Sequence, residues 1–233
     1  AKELITPNTL LVAVQYANNE TGVIQPIPEL IEMTHRQGAL FHCDAVQGLG
    51  KASLDFGSLE VDSATFSGHK IHGPKGVGAL FLRHGVRGWP MEYPVMGGSQ
   101  EHNIRPGTQN VPGIVGFGVA TELLRVHSVE HIDYMAQLQQ YLECELESRI
   151  PKCRIHGKNV PRIPNTTHVS IPGIPADILM ANLPLFCISE GSACDSGAIG
   201  ISHVLRAMNC PEQEAKSSIR ISTSIFNQKS EII

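Results

Sequence analysis

The sequence has no surplus of positive charge and no long apolar run, and from its first residues we expect no signal peptide; each of these absences narrows its function. Its 18 lysines and arginines stand against 22 aspartates and glutamates, which gives a formal net charge of -4 over 233 residues. This balance disfavours binding to nucleic acid or to an anionic membrane surface. No segment approaches the roughly 20 apolar residues of a membrane span. We therefore expect a soluble protein without nucleic-acid or membrane partners, located in the cytoplasm or, as an alternative left open, in the mitochondrion.

Paired cysteines are also missing. The six cysteines stand at positions 43, 144, 153, 187, 194 and 210, with no CxxC pair among them. Structural zinc sites and small disulfide-bonded folds use closer and more regular spacings. The sequence therefore predicts no metal site, and it predicts that most of the thiols are reduced and buried.

The first half of the chain alternates strand-like and helix-like segments, which is typical of an α/β fold with a mainly parallel sheet. The predicted strands are 10–16, 39–44, 63–66 and 79–82. A first helix begins at Pro28 and ends before Gly38, because proline suits an early helical position and glycine a helix end.

A second, smaller unit of α+β type is predicted after a long helix from about 112 to 150, in which apolar residues recur at three- and four-residue spacing. Its predicted elements are strands at 167–171, 187–189 and 218–222 and helices at 176–181 and 202–208. We place the domain boundary inside the long helix, with a large domain over residues 1–125 and a small domain over 126–233.

Polar residues collect where the predicted strands end, which is where ligands bind in open α/β sheets. Lys70 follows a strand through Ser67-Gly68-His69, so it is either a Schiff-base former that reaches into a pocket or a solvated loop lysine. Asp44 ends another strand and either pairs with a pyridinium nitrogen or caps a following helix. Gln47 lies three residues further on, where it can donate to a phenolic oxygen.

Two residues of the second half of the chain, Cys194 and Arg220, each allow a functional and a structural interpretation. Cys194 lies among small polar residues, which favours an exposed and reactive thiol, although a plain surface cysteine fits the same pattern. Arg220 lies inside an apolar strand, where it needs a carboxylate partner from a substrate or from an internal salt bridge. The glycine-rich segment 97–108 offers backbone amides and an arginine, the parts of an anion cradle.

Together these segments resemble the cysteine desulfurases, the sulfur-mobilising branch of the class V aminotransferase family, which has the type I fold of pyridoxal-phosphate enzymes. The motifs that carry the resemblance occur in family order over nearly the whole chain. They are 17–22 (ANNETG), 42–47 (HCDAVQ), 67–70 (SGHK), 73–76 (GPKG), 105–108 (RPGT), 191–194 (GSAC) and 218–220 (SIR).

The resemblance implies that pyridoxal phosphate is the cofactor and that the fold is a partial large domain of this type plus a small α+β domain. Lys70 would bind the cofactor covalently, Asp44 would pair with its pyridine nitrogen, and Gln47 and Asn19 would hold its phenolic-oxygen side. The phosphate would be bound by Ser67, Gly68 and His69, and by Thr108 of the neighbouring subunit in a homodimer.

The same resemblance implies the reaction. Arg220 and Asn19 would bind the substrate L-cysteine, with Arg220 on its α-carboxylate. Cys194 would take the sulfur as a persulfide, which leaves L-alanine, and would pass it to an acceptor such as an iron–sulfur scaffold protein.

Two other functions remain open. A selenocysteine lyase or sulfinate lyase of the same fold is one, although the insertion that selenocysteine lyases have before the Asp44 strand is absent here. The other is a catalytically impaired scaffold or dimerisation protein. Only 17 residues precede Asn18, whereas the family has a much longer segment there, so we expect the sequence to be part of a longer one.

Overall fold

The computed structural model describes residues 2–85, 95–191 and 201–232. The chain forms two compact units. Unit 1 comprises Ala1–Tyr16 and Gln25–Ser128, and unit 2 comprises Ala17–Ile24 and Val129–Ile233. Each unit has its own sheet and its own apolar core.

Unit 1 is built on a four-stranded sheet in the order β1-β2-β3-β4. The strands are β1 (Leu11–Gln15), β2 (Leu40–Asp44), β3 (Ser63–Ser67) and β4 (Gly78–Leu82). The first three strands run parallel, and β4 runs antiparallel to β3. The predicted α/β class with a mainly parallel sheet is confirmed, and each of these strands lies within two residues of its predicted bounds.

The alternation of buried and more exposed side chains along β2 shows which face of the sheet covers the core. Phe41 and Cys43 are fully buried, whereas His42 is half-buried and Asp44 is exposed. Successive side chains of a strand point to opposite faces, so β2 gives its apolar residues to one face and its polar residues to the other. The core cluster consists of Ile27, Ile31, Phe41, Cys43, Ala45, Val61 and Ala64.

Helix α1 (Ile27–His35) packs its buried residues Ile27, Ile31 and Thr34 on this sheet. Pro28 is in its first turn, where a backbone N–H has no partner within the helix, so proline costs nothing there. Gly38 has φ +73°, a left-handed conformation that glycine adopts without strain, and the chain turns there into β2.

The long helix α2 (Val111–Arg149) begins in unit 1 and ends in unit 2. Asn110 caps its start, because its Oδ1 accepts a hydrogen bond from Gly113 N–H at 3.1 Å. In unit 2 its buried residues Met135, Leu138 and Leu142 recur at three- and four-residue spacing. This is the spacing that predicted the helix. Within the described part of the chain, no helix is both long and apolar enough to cross a bilayer.

Unit 2 has a three-stranded antiparallel sheet in the order β5-β6-β7 and three short helices. The elements are β5 (Arg154–Ile155), β6 (Thr166–Ser170), α3 (Ala176–Asn182), α4 (His203–Ala207), α5 (Glu212–Ala215) and β7 (Ser218–Ser222). The predicted strand at 187–189 is wrong. Only Ser189 forms a bridge, to Arg220, whereas Cys187 is exposed and contributes to no sheet.

Candidate functional site

The end of β2 carries two of the predicted cofactor-binding residues, Asp44 and Gln47. The Asp44 side chain is exposed, and its Oδ1 accepts a hydrogen bond from Val46 N–H at 3.0 Å. Gln47 lies in the turn that follows, where its Oε1 accepts a bond from Lys51 Nζ at 3.1 Å. The residues after Asp44 form a turn and not a helix, so this carboxylate is not engaged as a helix cap.

Lys70 lies on a 3-10 turn, Gly68–Ile71, that follows β3 directly. Ser67 ends the strand, and its Oγ lies 2.8 Å from Nδ1 of His69, which is exposed. Lys70 itself is half-buried. Three of the predicted cofactor-binding side chains therefore occupy one short turn at the carboxyl end of a parallel strand.

Gly68 and Gly73 make this turn narrow. Gly68 N–H donates to Val77 O and Gly73 N–H donates to Gly68 O, both at 2.9 Å. A Cβ on Gly68 would lie 3.2 Å from the backbone oxygens of Pro74 and Val77, and a Cβ on Gly73 would lie 2.9 Å from Gly68 O. Larger residues at these two positions would push the returning chain away from the lysine turn.

The pairing of β2 with β3 brings Asp44 and Lys70 to one edge of the sheet. The two strands are parallel, Asp44 lies opposite Thr65, and Ala45 N–H donates to Thr65 O at 3.1 Å. Ser67 ends β3 two residues later, and Lys70 leaves the same edge on the next turn. The carboxyl edge of a parallel sheet is where α/β proteins bind their ligands.

The buried side chains of β2 are held in neutral forms. Burial and, to a smaller extent, the negative charge of the nearby Asp44 together raise the pKa of the Cys43 thiol to about 12. Burial lowers the pKa of His42, partly opposed by Asp44, and His42 Nδ1 lies 2.8 Å from Ser63 Oγ. Ionic chemistry at the end of β2 therefore depends on Asp44 and not on its neighbours.

Thr108 lies on a separate loop of unit 1. Arg105 Nη1 donates to Gly107 O at 3.0 Å and to Thr108 O at 3.3 Å, and Gly107 N–H donates to Gln100 Oε1 at 3.1 Å. These bonds fold the loop on itself and leave the Thr108 side chain exposed.

In unit 2 the structure brings together the two residues that were predicted to bind the substrate. Arg220 is in β7, and its Nη1 donates to the backbone oxygen of Asn19 at 2.8 Å. The Asn19 loop is rigid because Asn18 Oδ1 accepts bonds from Glu20 N–H, Thr21 N–H and Thr21 Oγ1 at 3.0, 2.9 and 3.0 Å. A short loop and a strand some 200 residues further along the chain thus form one pair.

Glu20 is a residue for which the sequence suggested no role. It is 1% exposed, and its Oε2 accepts a hydrogen bond from Ser202 Oγ at 2.5 Å. A Cβ on Gly191 would lie 3.4 Å from the same oxygen. Gly191 and Ser202 are the described residues that flank Cys194, which itself lies outside the described residues. No local pattern reveals the burial of Glu20, because its partner Ser202 is so distant in sequence.

His168 is a second residue that the sequence did not single out. It is fully buried in β6, opposite Arg220 in β7, and its ring contacts that of His156 with the centroids 5.1 Å apart. Burial is the main cause that lowers the pKa of His168 to about 3, and the neighbouring His156 and Arg220 also lower it. His168 is therefore a neutral packing residue beneath Arg220 at ordinary pH.

An α/β protein with an amine and a carboxylate at the carboxyl edge of a parallel sheet belongs to a broad class that binds ligands at that edge. Comparison with known proteins narrows the class. The aminotransferase class-V family matches residues 1–233, and the chain belongs to that family.

Among curated relatives, a cysteine desulfurase of Nostoc sp. is 44% identical over 230 residues, covering 98% of this chain and 57% of that protein. A cysteine desulfurase of Klebsiella pneumoniae has the same identity and coverage. The chain thus spans somewhat more than half the length of the curated relatives that it matches.

Solved structures give the same result. A NifS-like protein from Rickettsia africae superposes with a TM-score of 0.87 at 37% identity, covering 99% of this chain and 62% of that one. A structure described as SspA in complex with cysteine gives a TM-score of 0.75 at 32% identity, over 97% of this chain and 62% of that one.

Proposed function

We propose that the chain carries the lysine, the substrate arginine and the nucleophile of a pyridoxal-phosphate-dependent cysteine desulfurase. The observation that supports this most directly is the pairing of parallel strands β2 and β3, which puts Asp44 and Lys70 at one sheet edge. In this proposal residues 1–125 are the cofactor-binding domain, and residues 126–233 are the domain that carries the Cys194 loop.

The functional groups of the residues at this edge match the groups of pyridoxal phosphate. Lys70 offers the amine that binds the cofactor's aldehyde carbon, and exposed Asp44 offers a carboxylate for its pyridine nitrogen. Ser67, Gly68 and His69 lie on the turn that precedes Lys70, where the hydroxyl of Ser67 and the imidazole of His69 suit a phosphate, and Gly68 would let the phosphate approach the backbone closely because it has no side chain. Gln47 would donate its amide N–H to the phenolic oxygen, because its Oε1 is already bonded to Lys51.

When bound, the cofactor supplies a protonated pyridine ring that takes up the electron pair left when the Cα–H bond breaks. Asp44 keeps the proton on the pyridine nitrogen. Lys70, as a free amine, would remove the Cα proton of cysteine.

Substrate binding is the role that we assign to unit 2. Arg220 would bind the α-carboxylate of L-cysteine, since a planar guanidinium with five N–H donors suits a carboxylate. The Asn19 side chain would help to orient the substrate.

The sulfur transfer balances with Cys194 as the nucleophile. The Cys194 thiolate attacks the substrate sulfur, so a sulfur–sulfur bond forms as the Cβ–S bond breaks and its electron pair stays with the carbon fragment. That fragment takes up protons and leaves as L-alanine, while the second sulfur stays on Cys194 as a persulfide. An iron–sulfur scaffold or another sulfur-acceptor protein would then receive it.

We also propose that the active protein is a homodimer. Thr108 is exposed on a loop of unit 1 that is folded by its own hydrogen bonds. This exposure suits a hydroxyl that contacts the phosphate bound by a second copy of the chain.

Incubation of the purified protein with pyridoxal phosphate and L-cysteine tests the proposal. We expect release of alanine and, by mass spectrometry, one extra sulfur atom on the peptide that contains Cys194. Cys187→Ala is the matched control, since Cys187 is an exposed cysteine seven residues earlier. Alanine release by Cys194→Ala at the rate of the unsubstituted protein would show that the mechanism is wrong.

A further inference from the structure

Three potential metal ligands, none of which has a role in the proposed function, meet in unit 2. They are His156, which follows β5, Cys210, which follows α4, and Glu214 in α5. One ligand atom of each lies within 4.8 Å of those of the other two. No second group of three such residues occurs within residues 2–85, 95–191 and 201–232.

We propose that His156, Cys210 and Glu214 form a zinc site. An imidazole, a thiolate and a carboxylate are ligands that Zn²⁺ accepts, and the mixture of one soft and two harder donors favours zinc over Ca²⁺ or Mg²⁺. His156 is buried, whereas Cys210 and Glu214 are half-buried. The site therefore opens toward solvent on the side of Cys210 and Glu214, where a water molecule can be the fourth ligand.

The carboxylate of Glu214 gives independent support. Its Oε1 is buried and lacks a hydrogen bond of good geometry, although it lies 3.8 Å from His156 Nε2 and 3.2 Å from Arg154 Nη1, and the Cys210 thiol is a hydrogen-bonding neighbour of the same carboxylate. The hydrogen bond of Arg154 goes to Oε2 instead, at 3.2 Å. A buried oxygen without a hydrogen bond is costly, and a cation between Oε1 and Nε2 would remove that cost. Arg154 is itself largely exposed, so it can keep Oε2 or move into solvent.

A chain of hydroxyls bonds the same imidazole nitrogen when no metal is bound, and zinc would have to displace it. His156 Nε2 lies 2.6 Å from Ser170 Oγ, which lies 2.7 Å from Ser218 Oγ, and Ser218 Oγ donates to Glu214 O at 2.8 Å. Without metal, Nε2–H donates to Ser170. Zinc binding requires the one imidazole proton on Nδ1, so that the Nε2 lone pair turns to the metal, and it releases the thiol proton of Cys210 to solvent.

The three ligand atoms would have to move only slightly closer together to bind zinc. With bonds of about 2.0–2.3 Å and tetrahedral angles, the ligand atoms of a zinc site are about 3.3–3.7 Å apart, so the present group would close by about 1 Å. His156 adjoins the two-residue edge strand β5, and Glu214 is in the four-residue helix α5. Such short elements can shift by this amount, and zinc would tie one to the other.

Metal titration of the chelator-treated 233-residue protein tests the proposal. We expect one Zn²⁺ per chain by elemental analysis, and with Co²⁺ as the probe a thiolate-to-metal charge-transfer band. Cys210→Val should lose that band and weaken zinc binding by at least about tenfold, since changes even outside the ligand set cost that much. Glu214→Gln should also weaken zinc binding.

Cys153→Val is the matched control, because Cys153 is another partly buried cysteine of unit 2 outside the group. It should bind zinc as the unsubstituted protein does. Zinc should also raise the melting temperature of the unsubstituted protein and of Cys153→Val but not that of Cys210→Val. Absence of zinc binding, or equal binding by Cys210→Val with its circular dichroism unchanged, would overturn the proposal.

Discussion

The two units treat their polar side chains in opposite ways. In unit 1 the candidate site residues Asp44, His69 and Thr108 are exposed, with mostly local bonds. In unit 2 the polar residues are mainly buried and bonded to one another. The buried polar side chains of unit 2 are Asn18, Glu20, Thr21, Glu143, His156, Thr166, Thr167, His168, Ser170, Ser217 and Ser218, against Thr34, Lys51 and Ser63 in unit 1.

Burying a polar group costs free energy unless a partner inside the protein replaces water. The buried, hydrogen-bonded side chains of unit 2 have replaced water and are therefore structural, whereas the sheet edge of unit 1 keeps its polar groups available for a ligand. Substitutions of the exposed residues at that edge should consequently change ligand chemistry with little effect on stability, and substitutions of the buried, hydrogen-bonded residues of unit 2 should change stability.

The largest effect is expected for Lys70→Ala. Borohydride treatment of the protein with pyridoxal phosphate should attach the reduced cofactor to Lys70, and the variant should lose this attachment completely, since no other side chain on the turn is a primary amine. The thermal midpoint should stay unchanged. Lys75→Ala is the control, because Lys75 is exposed on the next turn. Equal labelling of Lys70 and Lys75 would contradict the prediction that the cofactor binds at a specific site in unit 1.

The next effect concerns thiol reactivity. Cys43 is fully buried with its pKa raised to about 12, whereas Cys144 is exposed. An alkylating reagent should modify Cys43 on the order of 10³-fold more slowly than Cys144, because reaction at Cys43 requires unfolding. Peptide mass spectrometry over time measures both rates. If Cys43 and Cys144 were alkylated at comparable rates, the core of unit 1 would be as accessible to the reagent as its surface, and our comparison would be wrong.

A pH dependence follows from the same thiol. The folded-state pKa of Cys43 lies above that of the unfolded chain, so above about pH 8.5 the unfolded state loses a proton that the folded state keeps. Stability should therefore fall as the pH rises from about 8.5 toward 12. Cys43→Ala, compared at pH 7 and pH 10 by urea denaturation, should lose less stability over this interval than the unsubstituted protein.

In unit 2, Glu143→Ala should lower the free energy of unfolding by about 3–5 kcal/mol. Glu143 and Arg162 form a two-bond pair at 2.8 and 3.0 Å with both side chains 8% exposed, and Thr167 donates to the same carboxylate. The substitution leaves the Arg162 charge buried without its partner.

Glu122→Ala is the matched control for that pair. Glu122 also binds an arginine through two bonds, to Arg125, but both side chains are more than half exposed. Its loss should change the free energy of unfolding far less than the loss of Glu143 does, because water screens an exposed ion pair. Urea denaturation of both variants measures the difference, and equal values would contradict the structural role that we assign to buried polar groups.

The smallest effect on stability is expected for Asp44→Asn, because the side chain is exposed and asparagine can still accept the bond from Val46 N–H. The free energy of unfolding should change by less than about 0.5 kcal/mol. Affinity for pyridoxal phosphate should fall, since a neutral amide does not stabilise a charged pyridinium. If Asp44→Asn lost much stability but kept its affinity for pyridoxal phosphate, Asp44 would be a structural residue and not a ligand-binding one.

Much of the fold could be predicted because local sequence patterns indicate most of its strands and its long helix. Short apolar runs that end in polar residues gave β1 to β4, and the three- and four-residue spacing of apolar residues gave α2. The two-residue β5 and the four-residue α5 are too short for any such period. The segment 187–189 has the composition of a strand, yet only Ser189 pairs, through its N–H and C=O to Arg220.

The sequence by itself determined the strand ends that carry Asp44 and Lys70 and the order of the motifs, because each depends on neighbours a few residues away. Only the tertiary structure decided that Arg220 meets Asn19, that Glu20 is buried against Ser202, and that His156, Cys210 and Glu214 come together. Those contacts join distant segments. They depend on the register of β6 with β7 and on chain packing, which no local periodicity encodes.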